Sequence, residues 1–93
     1  MNIIDLIKIE ITKSINDSEI YIEDESKAHE SHFDQLSHNI PSHLKIKVIS
    51  DSFNGMSLIT RHRQINDIMK DYFDKGLHSL KIIAKTKKED SYE

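Results

Sequence analysis

The sequence predicts an α+β fold, a three-stranded mixed sheet with helices packed on one face. Three observations predict it. Ile4, Ile7, Ile11 and Ile15 recur at helical spacing, and Ile65, Ile68, Met69, Tyr72 and Phe73 do so again later. Leu44-Lys45-Ile46-Lys47-Val48 alternates apolar and basic residues, as a strand with one solvated face does. The run from Leu77 to Lys85 follows a glycine, Gly76, placed where a helix ends and the last strand starts.

The first helix spans about 3–15, with Asp5, Lys8 and Lys13 off its apolar stripe. Its β-branched residues lower intrinsic helix propensity, so packing must hold it. Asn16-Asp17-Ser18 breaks the pattern, and Glu19-Ile20-Tyr21-Ile22-Glu23 reads as a short first strand. A polar stretch follows from about Asp24 to Ser42, longer than a hairpin connection usually is. It holds His29, His32 and His38 and ends beside His43. The second strand covers 44–48, and 50–57 forms a turn around Asn54-Gly55. A helical region starting near Ser57–Thr60 carries the second stripe to Gly76. Strand three covers 77–85 with Leu80, Ile82 and Ala84 inward, and the tail is expected to fray from about residue 87.

Ninety-three residues suit one domain spanning 1–93. With 37% apolar and 31% charged residues the chain has the composition of a globular protein rather than a disordered one. It has no cysteine, hence no disulfide and no thiolate ligand of its own. The opening apolar run is interrupted by Asp5 and Lys8, which fits neither a secretory core nor a membrane span and points to a cytoplasmic protein. Charge is divided: residues 1–42 carry net −6, 43–88 net +6, and the last five −3. That polarity fits a charged face for a partner or simply a solvated surface. No Ser-His-Asp, paired-carboxylate or Gly-rich phosphate pattern is present, so an enzyme is not expected.

Topology sets the candidate site. Strands joined by a loop pair antiparallel, and a helical crossover makes strands two and three parallel. The end of strand one and the starts of strands two and three then share one end of the sheet. His78, opening strand three, meets the histidine-bearing loop there. It is either a metal or cluster ligand or a strand-edge histidine satisfied by a backbone carbonyl. By alternation His43 is out of phase with Leu44 and Ile46, whereas His78 is in phase with Leu80 and Ile82. His43 should therefore point to the other side and cap or pack at the strand start.

The segments Asp24-Glu25-Ser26-Lys27-Ala28-His29, Ser42-His43-Leu44-Lys45-Ile46-Lys47-Val48-Ile49-Ser50, Phe53-Asn54-Gly55, Arg61-His62-Arg63 and Leu77-His78-Ser79-Leu80 resemble the BolA-like family, in its order, over about 24–85. The resemblance implies an αββααβ fold related to the class II KH domain. It implies partnership with a monothiol glutaredoxin around a shared [2Fe–2S] cluster, with thiolates from the glutaredoxin and glutathione. The BolA-like chain supplies a histidine at the start of the last strand, which is His78, and a loop His or Cys, matched by His29. The stretch from His29 to His43 is longer than the family's, so His32, His38 and, behind them, His43 stand as alternatives. A lone Gly55 replaces the GxxG clamp of KH domains, and RNA binding in that manner is not expected. Imidazole in place of thiolate raises a cluster's potential and makes binding pH-sensitive.

Arg61, His62, Arg63 and Lys81 are the cations expected to touch a nucleic acid or a partner's acidic surface; Arg61 or Arg63 pairing with local carboxylates is the structural alternative. The second functional reading, also implied by the resemblance, is a DNA-binding regulator of stress response and cell morphology. No membrane is expected as a partner, and the free chain is expected to be a monomer.

Overall fold

The computed structural model describes residues 2–26 and 40–92. Helix α1 (Ile3–Ser14) begins at Asn2, whose side chain accepts the Asp5 amide at 2.9 Å, and it ends where Ile15 turns extended. Asp17, at φ 56, makes the tight exit into β1; aspartate tolerates that left-handed conformation better than most residues. Strand β1 (Ser18–Asp24) pairs antiparallel with β2 (His43–Ser50), with Ile22 opposite Ile46. Strand β2 is central and pairs parallel with β3 (Ser79–Lys85), setting Leu44 beside Leu80 and Ile46 beside Ile82.

The crossover between β2 and β3 holds one long helix, α2 (Leu58–Asp74), preceded by a 3-10 turn at Asp51–Phe53 in place of a first helix. A type II turn links them. Asn54 (φ −55, ψ 129) is followed by Gly55 at φ 81, and the Met56 amide returns to Phe53 O at 2.9 Å. Ser57 caps α2 by accepting the Thr60 amide at 3.1 Å. At the other end Gly76 takes φ 133, and the Leu77 amide reaches back to Tyr72 O at 3.0 Å, closing the helix.

The core lies between β2 and the two helices. Ile7, Ile11 and Ile15 meet Leu44, Ile46, Val48, Phe53, Ile65, Met69, Leu77 and Ala84, all essentially shut from solvent. Phe73 departs from the expected stripe and is 38% exposed. At 3.6 residues per turn it stands about 80° from Ile65, off the line through Ile65, Met69 and Tyr72. Tyr72 ties the helices together, its hydroxyl donating to Glu10 Oε1 at 2.8 Å. Burial, then the Glu10 carboxylate, pushes its pKa up to about 12, so it remains a donor at neutral pH.

The tail does not fray. Lys87–Ser91 forms a short helix, α3, opened by a reciprocal capping box between Thr86 and Glu89. The Thr86-x-x-Glu89 spacing carries that signal, but it pays off only because α3 is anchored to the rest of the fold. Its Lys87 amide donates to Asp51 Oδ1 at 3.1 Å, and Asp90 reaches Lys47 at 2.8 Å on the outer sheet face. No helix among the described residues is long and apolar enough to cross a membrane.

Ile46 sits at the centre of this core with no exposed surface. Ile46→Ala is expected to lower unfolding free energy by about 2–5 kcal/mol, measured by urea titration with the m-value unchanged.

Candidate metal centre

Antiparallel β1–β2 and parallel β2–β3 pairing together bring Asp24, His43 and Ser79 to one end of the sheet. His78 stands just ahead of β3, exposed at that lip. Its backbone is fixed although its ring is not covered: the amides of His78 and Ser79 both donate to Ser42 O, at 2.8 and 3.0 Å. Among the described residues no carbonyl accepts from the His78 ring, so the strand-edge alternative finds no partner there.

His43 is the described imidazole beside it. The two ring centroids are 6.5 Å apart with planes 13° from parallel. Alternation predicted that His43 would point away, and the reason it does not is visible in the backbone. In a pleated strand successive amides face opposite edges. Two consecutive amides on one carbonyl therefore mark an irregular entry to β3, as in a bulge, where strand alternation no longer fixes which side each ring takes. The half-buried His43 ring keeps Nδ1 at 2.9 Å from Ser42 Oγ.

His29, His32 and His38 lie outside the described residues. The ends of their segment are described, and both are held at the lip. Ser26 Oγ accepts the amides of Ser42 at 2.9 Å and His43 at 3.2 Å, and the Glu25 amide donates to His43 O at 2.9 Å. Nothing in the sequence around Ser26 and Ser42 marks these contacts, because hydroxyls at strand ends are common and their partners lie up to 17 positions away. Among the described residues no three His, Asp or Glu side chains gather into a metal-binding group. His43 and His78 place two imidazole rings together at this end of the sheet, a donor type that iron accepts beside donors from elsewhere.

The basic cluster divides. Arg61 was expected to face a nucleic acid or partner, and instead it is built into the far end of the sheet, 5% exposed. Its Nε donates to Met56 O at 3.1 Å, and Nη1 donates to Ala84 O at 3.1 Å and Glu89 Oε1 at 2.6 Å. Nη2 donates to Glu89 Oε2 at 3.2 Å, and the guanidinium lies 5.5 Å from the Phe53 ring centre. This is the carboxylate-pairing alternative, with a carboxylate distant in sequence. Arg63 is exposed and His62 half-buried. Lys81 is exposed and meets Glu25 at 3.4 Å, close to the histidine lip. Hydrogen bonds from Arg61 and the Thr86 amide lower the Glu89 pKa to about 2.

A mixed sheet built as an antiparallel strand pair plus a helical crossover, with an imidazole exposed at the end where β2 and β3 begin, is an α+β fold of a definite class. The chain belongs to the BolA-like protein family, whose model matches residues 11–89. The solved structure of BolA1 from Arabidopsis thaliana superposes with a TM-score of 0.86 at 31% identity, covering 96% of each chain. The SufE-like protein 1 (chloroplastic/mitochondrial) of Arabidopsis thaliana is 35% identical over 83 residues, 86% of this chain and 22% of that protein. The DNA-binding transcriptional regulator BolA of Vibrio cholerae is 36% identical over 56 residues, 56% of this chain and 53% of that protein. The chain thus spans about a fifth of the first curated relative and half of the second.

The arginine clamp can be tested by substitution and by pH. Arg61→Ala should cost about 1–3 kcal/mol by leaving carbonyls and packing unmet, whereas Arg63→Ala should stay within about 0.5 kcal/mol, both read by thermal unfolding. Glu89 has a depressed folded pKa, so its stabilisation is complete above its ordinary value of 4.5 and is lost as pH falls towards about 2. Glu89→Gln should accordingly flatten the fall of stability between those pH values; an unchanged acid limb contradicts the clamp.

Proposed function

We propose that this chain is a non-enzymatic partner of a monothiol glutaredoxin, sharing with it a glutathione-assisted [2Fe–2S] cluster in iron–sulfur trafficking or iron and redox regulation. The observation that carries the reading is the exposed His78 ring on a pinned backbone, 6.5 Å from the His43 ring at the lip of the sheet. A [2Fe–2S] cluster takes four terminal ligands, and a chain with no cysteine has only imidazole and carboxylate to offer. In this reading the thiolates come from the glutaredoxin and glutathione, which makes the cluster a joint possession rather than a resident cofactor. When bound, the cluster supplies one-electron chemistry at a potential raised by imidazole ligation.

His78 is the first ligand in this reading. His29 is the second by its motif position, with His32 and His38 on the same segment as alternatives, and proximity adds weight to His43. The side chains of Lys81 and Glu25 border the lip and suit contact with a polar partner surface.

The Vibrio relative's description supports DNA binding as a second reading, with Arg63 and Lys81 as the cations that remain exposed. Arg61 is not among them, since it is buried and four of its five N–H donors are engaged inside the fold. Co-reconstitution with a monothiol glutaredoxin, glutathione, iron and sulfide tests the first reading. Wild type should give a heterocomplex with a cluster-type visible circular dichroism spectrum, and His78→Ala should lose or reshape it. An identical spectrum from His78→Ala removes the proposal. DNA retention at low salt that weakens on Arg63→Ala would favour the second reading instead.

A further inference from the structure

The hydrogen bonds at the lip converge on one hydroxyl. Ser26 Oγ accepts the amides of Ser42 and His43 at 2.9 and 3.2 Å. The His43 N–H belongs to the planar peptide that joins Ser42 to His43. The carbonyl of that same peptide, on Ser42, accepts the amides of His78 and Ser79 at 2.8 and 3.0 Å. One rigid plate therefore stands between the Ser26 hydroxyl and the backbone of His78. Each end of the plate is hydrogen-bonded, and such chains polarise so that each bond strengthens the next.

Ser26 is itself held in place. Its amide donates to Asp24 Oδ1 at 2.9 Å, and the neighbouring Glu25 amide donates to His43 O at 2.9 Å. The plate also governs the second ring, because His43 Nδ1 rests 2.9 Å from the Ser42 hydroxyl.

We propose that Ser26 is the positioning residue for His78, orienting the Ser42–His43 peptide that fixes where the imidazole stands. The proposal rests on His78 being a cluster ligand, and it adds how the free chain holds that ligand ready. A hydroxyl suits the task because it offers two lone pairs to two amides that the strand ladder leaves over. Alanine would remove the acceptor and release the plate at one edge, while threonine keeps the same oxygen. Position matters because metal–ligand distances are held to within about 0.2 Å, and groups behind the ligand set that geometry. Ser26 touches no metal in this scheme and acts only through the peptide.

The test compares wild type, Ser26→Ala and Ser26→Thr in two arms. In the free chain, amide hydrogen exchange followed by NMR should speed up about tenfold at residues 42, 43, 78 and 79 in Ser26→Ala, the change that losing a hydrogen bond of ordinary strength gives. Exchange at Ile46 and Ile82, inside the sheet, should stay at the wild-type rate, and Ser26→Thr should restore the lip. Wild-type exchange rates at the lip of Ser26→Ala overturn the latch. In the second arm each chain is loaded with monothiol glutaredoxin, glutathione, iron and sulfide. The visible circular dichroism of Ser26→Ala should depart from wild type and return in Ser26→Thr. An unchanged spectrum in Ser26→Ala beside a loaded wild type overturns the positioning role. A wild-type chain that takes up no cluster overturns the ligand reading itself, and the exchange arm still decides whether the latch exists.

Discussion

Parallel pairing of β3 with β2 is the constraint on which the rest of the molecule depends. It sets the start of β3 beside the start of β2, and antiparallel pairing of β1 adds the end of β1 to the same edge. Were β3 reversed, its first residue would move by the length of a seven-residue strand, about 20 Å at roughly 3.3 Å per residue, to the Arg61 end. His78 would then stand far from His43 and from both ends of the 27–39 segment. The pairing is enforced by α2, which is long enough to carry the chain back along the sheet and is sealed to it by Ile65, Met69 and Tyr72.

The two ends of the sheet have opposite characters. At one, Arg61 joins the approach to α2, the last residues of β3 and the α3 carboxylate of Glu89, with its charge enclosed and four of its five donors used. At the other, the backbone is tied as firmly, through Ser26, Ser42, His43 and His78, while the His78 ring is left open. Firm backbone with an accessible ring suits the ligand role proposed for His78, because little ordering would remain to be done on binding.

The charge polarity along the chain is partly cancelled in space. Lys81–Glu25 and Lys87–Asp17 join the basic middle to the acidic first part, and Lys47–Asp90 and Arg61–Glu89 join it to the acidic end. The exposed pairs among these contribute little stability, on the order of 0–1 kcal/mol each. Their consequence is for recognition: the net +6 stretch does not present a uniform basic face, which weakens the ground for a phosphate-backbone surface. The buried arginine differs from the rest because its two carbonyl partners are fixed parts of the fold.

Periodicity in the sequence determined the two long helices, the three strands, their order and the end of the sheet at which His78 would stand, since apolar spacing and crossover geometry are local or topological properties. It also placed Gly76 at the close of α2 and gave Asn54-Gly55 as a turn. Three matters were settled only by tertiary contacts. Arg61 reads as a surface cation until Glu89, 28 residues on, meets it; the tail reads as frayed until Asp51 and Lys47 receive α3; and His43 reads as facing away until paired amides on Ser42 O disturb the entry to β3. Each depends on a partner remote in sequence, and no local pattern encodes a hydrogen bond between residues that only the folded chain brings together.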